Sequence, residues 1–133
     1  MANLNIGAVA AQSGVTVEAI RFYEKQKLIP EAPRSTSGYR QYSDETVKRV
    51  QFIQKAKDVG FSLKEIQSLL TLEASSEASC ADVKAQALAK LAEVSARLRE
   101  LRKIQRALKT LVERCDGSGP LTDCPILDAL NAN

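Results

Sequence analysis

Cys80, Cys115 and Cys124 are the residues best suited to chemistry in a 133-residue chain that contains no histidine. Thiolates are soft donors, and three of them converging without nitrogen ligands would select a soft or borderline metal ion. Spacing decides whether they converge. Cys80 stands just ahead of a long stretch with heptad-like apolar spacing, whereas Cys115 and Cys124 bracket a short loop just beyond its end. Cysteines at opposite ends of one rod meet only if the rod pairs antiparallel with a second copy. A disulfide framework fits an odd cysteine count poorly. Burial as small apolar side chains is the plainer alternative, but a loop holding Gly117, Gly119 and Pro120 offers little core. A reactive thiol sensing oxidants or electrophiles is the other chemistry open to these residues. Enzyme chemistry has little support, because no nucleophile has a base at motif spacing and no glycine-rich phosphate loop is present.

The element that must position the cysteines runs from about residue 81 to 113 with neither Gly nor Pro inside it. Its apolar residues Ala87, Leu91, Val94, Leu98, Leu101, Leu108 and Val112 follow mostly a three-four alternation. The preceding segments are too short to cover such a stripe, so it asks for a partner helix. Pairing with a second copy is favoured over folding back on its own domain. The polar stretch from Glu73 to Ser79 reads as a hinge before it.

The N-terminal part has a different pattern. Ile6 to Gln12 has helical apolar spacing ended by Ser13-Gly14, and Thr16 reads as the N-cap of a second helix through Ile20, Tyr23 and Glu24. Two short helices across a tight turn make a helix-turn-helix candidate. Ile20 and Phe22 are expected in its core. The segment Pro30–Gly38 breaks helix, and Tyr39-Arg40-Gln41-Tyr42 alternates as a short strand does, giving a small β-wing. Ser43 is expected to cap a third helix carrying Val47, Val50, Phe52, Ile53 and Ala56, ended by Gly60. Ser62 with Glu65 forms a capping box for a fourth.

Residues 1–60 hold nine Lys and Arg against six Asp and Glu, while residues 61–133 hold ten against ten. The whole net charge of +3 therefore lies in the N-terminal part, where a phosphate backbone could sit. Arg21, Tyr23, Lys25 and Lys27 fall on or just after the second helix, and Arg34, Tyr39 and Arg40 on the wing. Arginine grips phosphates or reads guanine, and tyrosine hydroxyls hold phosphate oxygens. A solvated charged face and tyrosines packed in the core are the plain alternatives. Two such units on a dimer would address two half-sites of a palindromic operator. No signal peptide and no apolar run long enough to cross a bilayer are evident, so no membrane partner and a cytoplasmic location are expected.

Val17-Glu18-Ala19-Ile20-Arg21-Phe22-Tyr23-Glu24, Gly38-Tyr39-Arg40-Gln41-Tyr42 and Gly60-Phe61-Ser62-Leu63 together resemble the MerR family of bacterial transcription regulators, over nearly the whole chain. The resemblance implies a mainly α protein. It would comprise a winged helix-turn-helix DNA-binding domain over 1–72, a hinge over 73–80 and a dimerisation helix over 81–114 paired as an antiparallel coiled coil. A metal-binding loop and C-terminal segment over 115–133 would complete it. Such regulators sit on promoters whose spacer between the −35 and −10 elements is too long. Effector binding then distorts the DNA so that RNA polymerase can use both elements, an effect of DNA shape rather than of new base contacts. By this likeness Thr16, Arg21, Tyr23, Arg34, Tyr39, Arg40 and Lys55 are the expected DNA contacts.

For the cysteines the resemblance implies an intersubunit site, with Cys80 from one protomer and Cys115 and Cys124 from the other. A cysteine at the position of Cys80 is similar to the branch sensing divalent metals. Mercury sensors of the family use three thiolates, so Hg(II) is the expected effector, with Pb(II) and Cd(II) as alternatives. Zn(II) favours four ligands; Asp116 or Asp123 could supply an oxygen, which keeps zinc open.

Overall fold

Two polar caps and one left-handed glycine set the N-terminal corner. Asn5 accepts from Ala8 N at 2.8 Å and opens α1 (Ile6–Ser13), and Gly14 at φ 73° closes it. Thr16 accepts from Ala19 N at 3.1 Å and opens α2 (Val17–Lys25), as its sequence position suggests. The computed structural model describes residues 3–132 and divides into two units, Met1–Val83 and Lys84–Asn133.

In the first unit α1 and α2 pack on each other, α1 packs on α3 (Asp44–Asp58), and α3 packs on α4 (Leu63–Ala74). Val9, Ile20, Leu28, Val50, Ile53 and Ile66 are fully buried where these helices meet. Each such side chain contributes about 1.5–3 kcal/mol by leaving water, so truncating Ile53 to alanine would cost about 2–5 kcal/mol once the cavity is included. The α4 capping box forms as expected, with Glu65 N donating to Ser62 Oγ at 3.2 Å and Ser62 N donating to Glu65 Oε1 at 2.8 Å. The expected side-chain cap of α3 does not form. Ser43 accepts from Thr46 N through its backbone carbonyl at 3.0 Å, and Asp44 and Glu45 support the first turn by charge.

The wing is thinner than its alternating sequence suggests. Among the described residues no named strand forms, only isolated antiparallel bridges between Leu4 and Tyr42 and between Arg34 and Arg40. Pro30 and Pro33 have no N–H to give a ladder. The tip is a turn in which Gly38 N donates to Ser35 O at 2.9 Å and Gly38 takes φ 87°.

A non-helical link over 75–79 precedes α5 (Cys80–Glu113), whose 34 residues reach roughly 50 Å at ~1.5 Å each. Cys80 is its first residue rather than standing ahead of it. Ser79 N donates to Asp82 Oδ2 at 2.8 Å, so Asp82 helps open the helix. No residue of α5 is buried. Leu91, Val94, Leu98, Leu101, Ile104, Leu108 and Val112 are all exposed along it. Within the cysteine loop lies a 3-10 turn over Leu121–Asp123, and after Cys124 comes a short helix α6 (Pro125–Asn131), which sequence periodicity did not suggest. Pro125 sits at its first turn, where a missing N–H costs nothing.

Candidate nucleic-acid interface and cysteine cluster

The period of α2 divides it into two faces. Ile20 and Tyr23, three residues apart, point into the core, while Arg21, Phe22 and Lys25 turn outward. Two expectations are thereby corrected. Phe22, expected in the core, is 43% exposed because it lies nearly opposite Ile20 around the helix. Tyr23, expected among the DNA contacts, is a core residue at 2% exposure. Its hydroxyl accepts from Gln54 Nε2 at 2.7 Å, and Lys57 Nζ lies 6.0 Å from its ring centroid.

The outward face is basic. An open groove of about 640 Å³ is bordered by Arg21, Lys25, Lys27 and Arg40, four cations against the two acids Glu24 and Glu31 on the same lining. Tyr39 is 75% exposed on the wing, and Arg34 beside it donates to Gly38 O at 3.0 Å, which fixes the wing tip. Thr16 is exposed, and its hydroxyl accepts in the cap, leaving its own proton for an outside acceptor. Lys55 is exposed in the last turn of α3. A face carrying several cations, a free phenol and a hydroxyl can hold consecutive phosphate oxygens.

One residue that sequence reasoning passed over holds this face together. The Glu24 carboxylate, with only 5% of its side chain exposed, accepts from Arg40 Nη1 at 2.7 Å and from the Tyr42 hydroxyl. The wing is thereby tied to α2. The Tyr42 hydroxyl and then the Glu24 carboxylate raise Arg40 above the ordinary arginine value, so its charge is secure. Burial, and then the bond to Glu24, push the Tyr42 phenol above its usual value, so it remains a donor. A signal was present in the sequence. An acid in the last turn of a helix opposes the helix dipole and calls for a cation elsewhere.

The turn after α2 is tight. Lys27 N donates to Glu24 O at 3.0 Å and Leu28 N to Tyr23 O at 2.9 Å, with Lys27 in the left-handed region at φ 61°. That conformation costs a non-glycine residue about 1 kcal/mol or more.

All three cysteines are free thiols, Cys80 exposed and Cys115 and Cys124 half-buried. Cys80 opens α5, and Cys115 lies two residues after its end. Within one chain, no three His, Cys, Asp or Glu among the described residues gather as a metal-holding group. The loop between the pair is shaped by its own polar groups. Gly117 N donates to Cys115 Sγ at 3.4 Å, and Asp116 Oδ1 accepts from Ser118 Oγ at 2.6 Å and Ser118 N at 2.9 Å. Those bonds, the hydroxyl's first, hold the Asp116 carboxyl below the usual carboxylate value.

A short helix pair, a wing and a basic outer face define a helix-turn-helix DNA-binding protein. Two family models match the chain: the MerR HTH family regulatory protein over residues 4–73, and MerR, DNA binding, over 47–111. The mercuric resistance operon regulatory protein of Bacillus cereus is 39% identical over 94% of this chain and 95% of its own length. Among solved structures, a transcription regulator from Ralstonia metallidurans in complex with lead(II) matches with TM-score 0.87 and 33% identity, over 96% of this chain and 98% of that one. The dual-function regulator MerR of Bacillus megaterium in complex with mercury(II) matches with TM-score 0.74 and 34% identity, over the same shares. The chain belongs to the MerR family of transcription regulators, and it is not an enzyme. No helix among the described residues is long and apolar enough to cross a membrane.

Proposed function

We propose that this chain is a metal-responsive regulator that binds a palindromic promoter site as an antiparallel homodimer, with Hg(II) as effector. Thr16, Arg21, Tyr39 and Arg40 are its main DNA contacts, and Arg34 and Lys55 its outer ones. Tyr23 acts from the core, where its hydroxyl accepts from Gln54 and ties α2 to α3. Cys80 of one protomer would hold the metal with Cys115 and Cys124 of the other.

The observation that carries this reading is the donor set: three free thiols and no histidine, divided between the two ends of one 34-residue helix with an exposed apolar stripe. That set fits a soft ion of low coordination number. Bound there, the metal would supply a link between two protomers. The protein's part is then to convert that link into a change in DNA shape that RNA polymerase can use. The similarity to a mercuric resistance regulator and to a mercury(II) complex supports the mercury reading. A second reading, Pb(II), is favoured by the higher structural similarity to the lead(II) complex.

The test is a competition titration of Hg(II), Pb(II), Cd(II) and Zn(II) in excess small thiol, with promoter activation read in parallel. The expected result is tightest binding and activation by Hg(II), at one metal per protomer, lost in Cys80→Ser. Activation by Pb(II), Cd(II) or Zn(II) at lower free concentration would replace mercury. A Cys80→Ser variant with full response would sink the shared site.

A further inference from the structure

Lys27 is the one non-glycine among the described residues with a left-handed backbone; the others are Gly14, Gly38, Gly60, Gly117 and Gly119. The fold forces the conformation. Leu28 and Ile29 are buried directly after it, and the two backbone bonds to Glu24 O and Tyr23 O reverse the chain there. Glycine would satisfy this turn without strain. A lysine in it brings a side chain that makes no ion pair with the rest of the described fold. Lys27 is exposed, and its ammonium has no ion-pair partner among the described residues. Its side chain borders the groove shared with Arg21, Lys25 and Arg40, and it also borders a second groove containing Arg49. Glu24 and Glu31 also line the first groove, but Glu24 is paired with Arg40, so Arg21, Lys25 and Lys27 outnumber the remaining acid there, and Lys27 carries positive charge past the end of α2 toward Arg49.

From this geometry we infer that Lys27 is a DNA phosphate contact just past the C-terminal end of α2, a charge placed where the backbone itself would prefer glycine. The inference rests on the reading of α2 and the wing as the DNA face. The bland alternative is a lysine that merely complements the helix C-terminus, a place Lys25 already fills in the last turn.

The experiment compares wild type, Lys27→Gly, Lys27→Arg and Arg21→Ala in the full chain. Thermal melting is measured, together with binding to a duplex enriched by the wild type from a randomised pool and to an unrelated duplex, each across a salt series. Lys27→Gly should melt higher than wild type yet bind both duplexes several-fold more weakly. Its log–log salt slope should be shallower by about 0.9 for each lost contact. Lys27→Arg should bind as wild type does. A Lys27→Gly variant that melts lower would show the lysine serving the helix end and overturn the inference. So would wild-type binding that Arg21→Ala weakens and Lys27→Gly does not, which leaves the DNA face itself standing. A wild type that binds neither duplex would sink both readings together.

Discussion

Glu24 is where one carboxylate decides the geometry of two elements. It accepts from Arg40 on one oxygen and from Tyr42 on the other, both from the wing, while its own backbone belongs to α2. Glu24→Gln removes the charge and leaves the buried Tyr42 hydroxyl with a poorer acceptor. A loss of about 1–3 kcal/mol is expected in urea unfolding, the range for a buried charge-assisted hydrogen bond, with weaker DNA binding because the wing is released. Unchanged stability would mean that the wing is held by its backbone bridges alone. The pH sign follows from Tyr42. Its folded pKa is raised above the ordinary value of 10.0, so its contribution is complete below pH 10 and lost as pH rises through the folded value. Unfolding measured against pH should show a fall above pH 10 that is missing in Tyr42→Phe. At this scale the sequence was legible by residue type and less so by direction. Arg21, Tyr39 and the three cysteines were visible as chemistry. Tyr23 and Phe22, by contrast, exchanged their expected places, because a one-residue step around a helix turns a side chain from core to solvent.

Helix ends show the same limit one level up. Ser43 and Ser62 look alike in sequence, each a serine ahead of an amphipathic helix. Only Ser62 has a glutamate three residues on; the corresponding residue for Ser43 is Thr46, which is buried. A hydroxyl at Ser43 thus lacks the reciprocal partner that fixes the box, and the backbone carbonyl takes over. Ser62→Ala should cost about 0.5–2 kcal/mol and Ser43→Ala close to nothing, read as paired shifts in denaturation midpoint at constant slope. Equal losses would show that the Ser43 hydroxyl caps in solution after all. The helices were legible because periodicity, caps and glycines agreed on them. The wing was less so, since alternation announces a strand but says nothing of the prolines that limit its pairing. α6 was missed because seven residues are too few to establish a period.

At the scale of the whole molecule the unsolved quantity is the stripe on α5. A single helix exposing Leu91, Val94, Leu98, Leu101, Ile104, Leu108 and Val112 along roughly 50 Å leaves in water the surface that normally stabilises a long helix. A second α5 supplies a surface of the same length and spacing, and antiparallel pairing brings the start of one beside the end of the other. Cys80 and the Cys115–Cys124 pair are then neighbours without any bending of the helix, so dimerisation and metal affinity should be one property. Leu98 lies near the middle of the helix and far from every cysteine in sequence, which makes it the place to separate the two. Leu98→Glu puts a charge into the paired stripe of both protomers. Sedimentation should find monomer where the wild type is a dimer, and Hg(II) affinity in competing thiol should collapse although Cys80, Cys115 and Cys124 are all intact. Leu98→Met, close in volume and still apolar, should keep both. A monomeric Leu98→Glu protein that binds mercury as tightly as the wild type would place the whole site within one chain and remove the reason for the helix to lie between its cysteines.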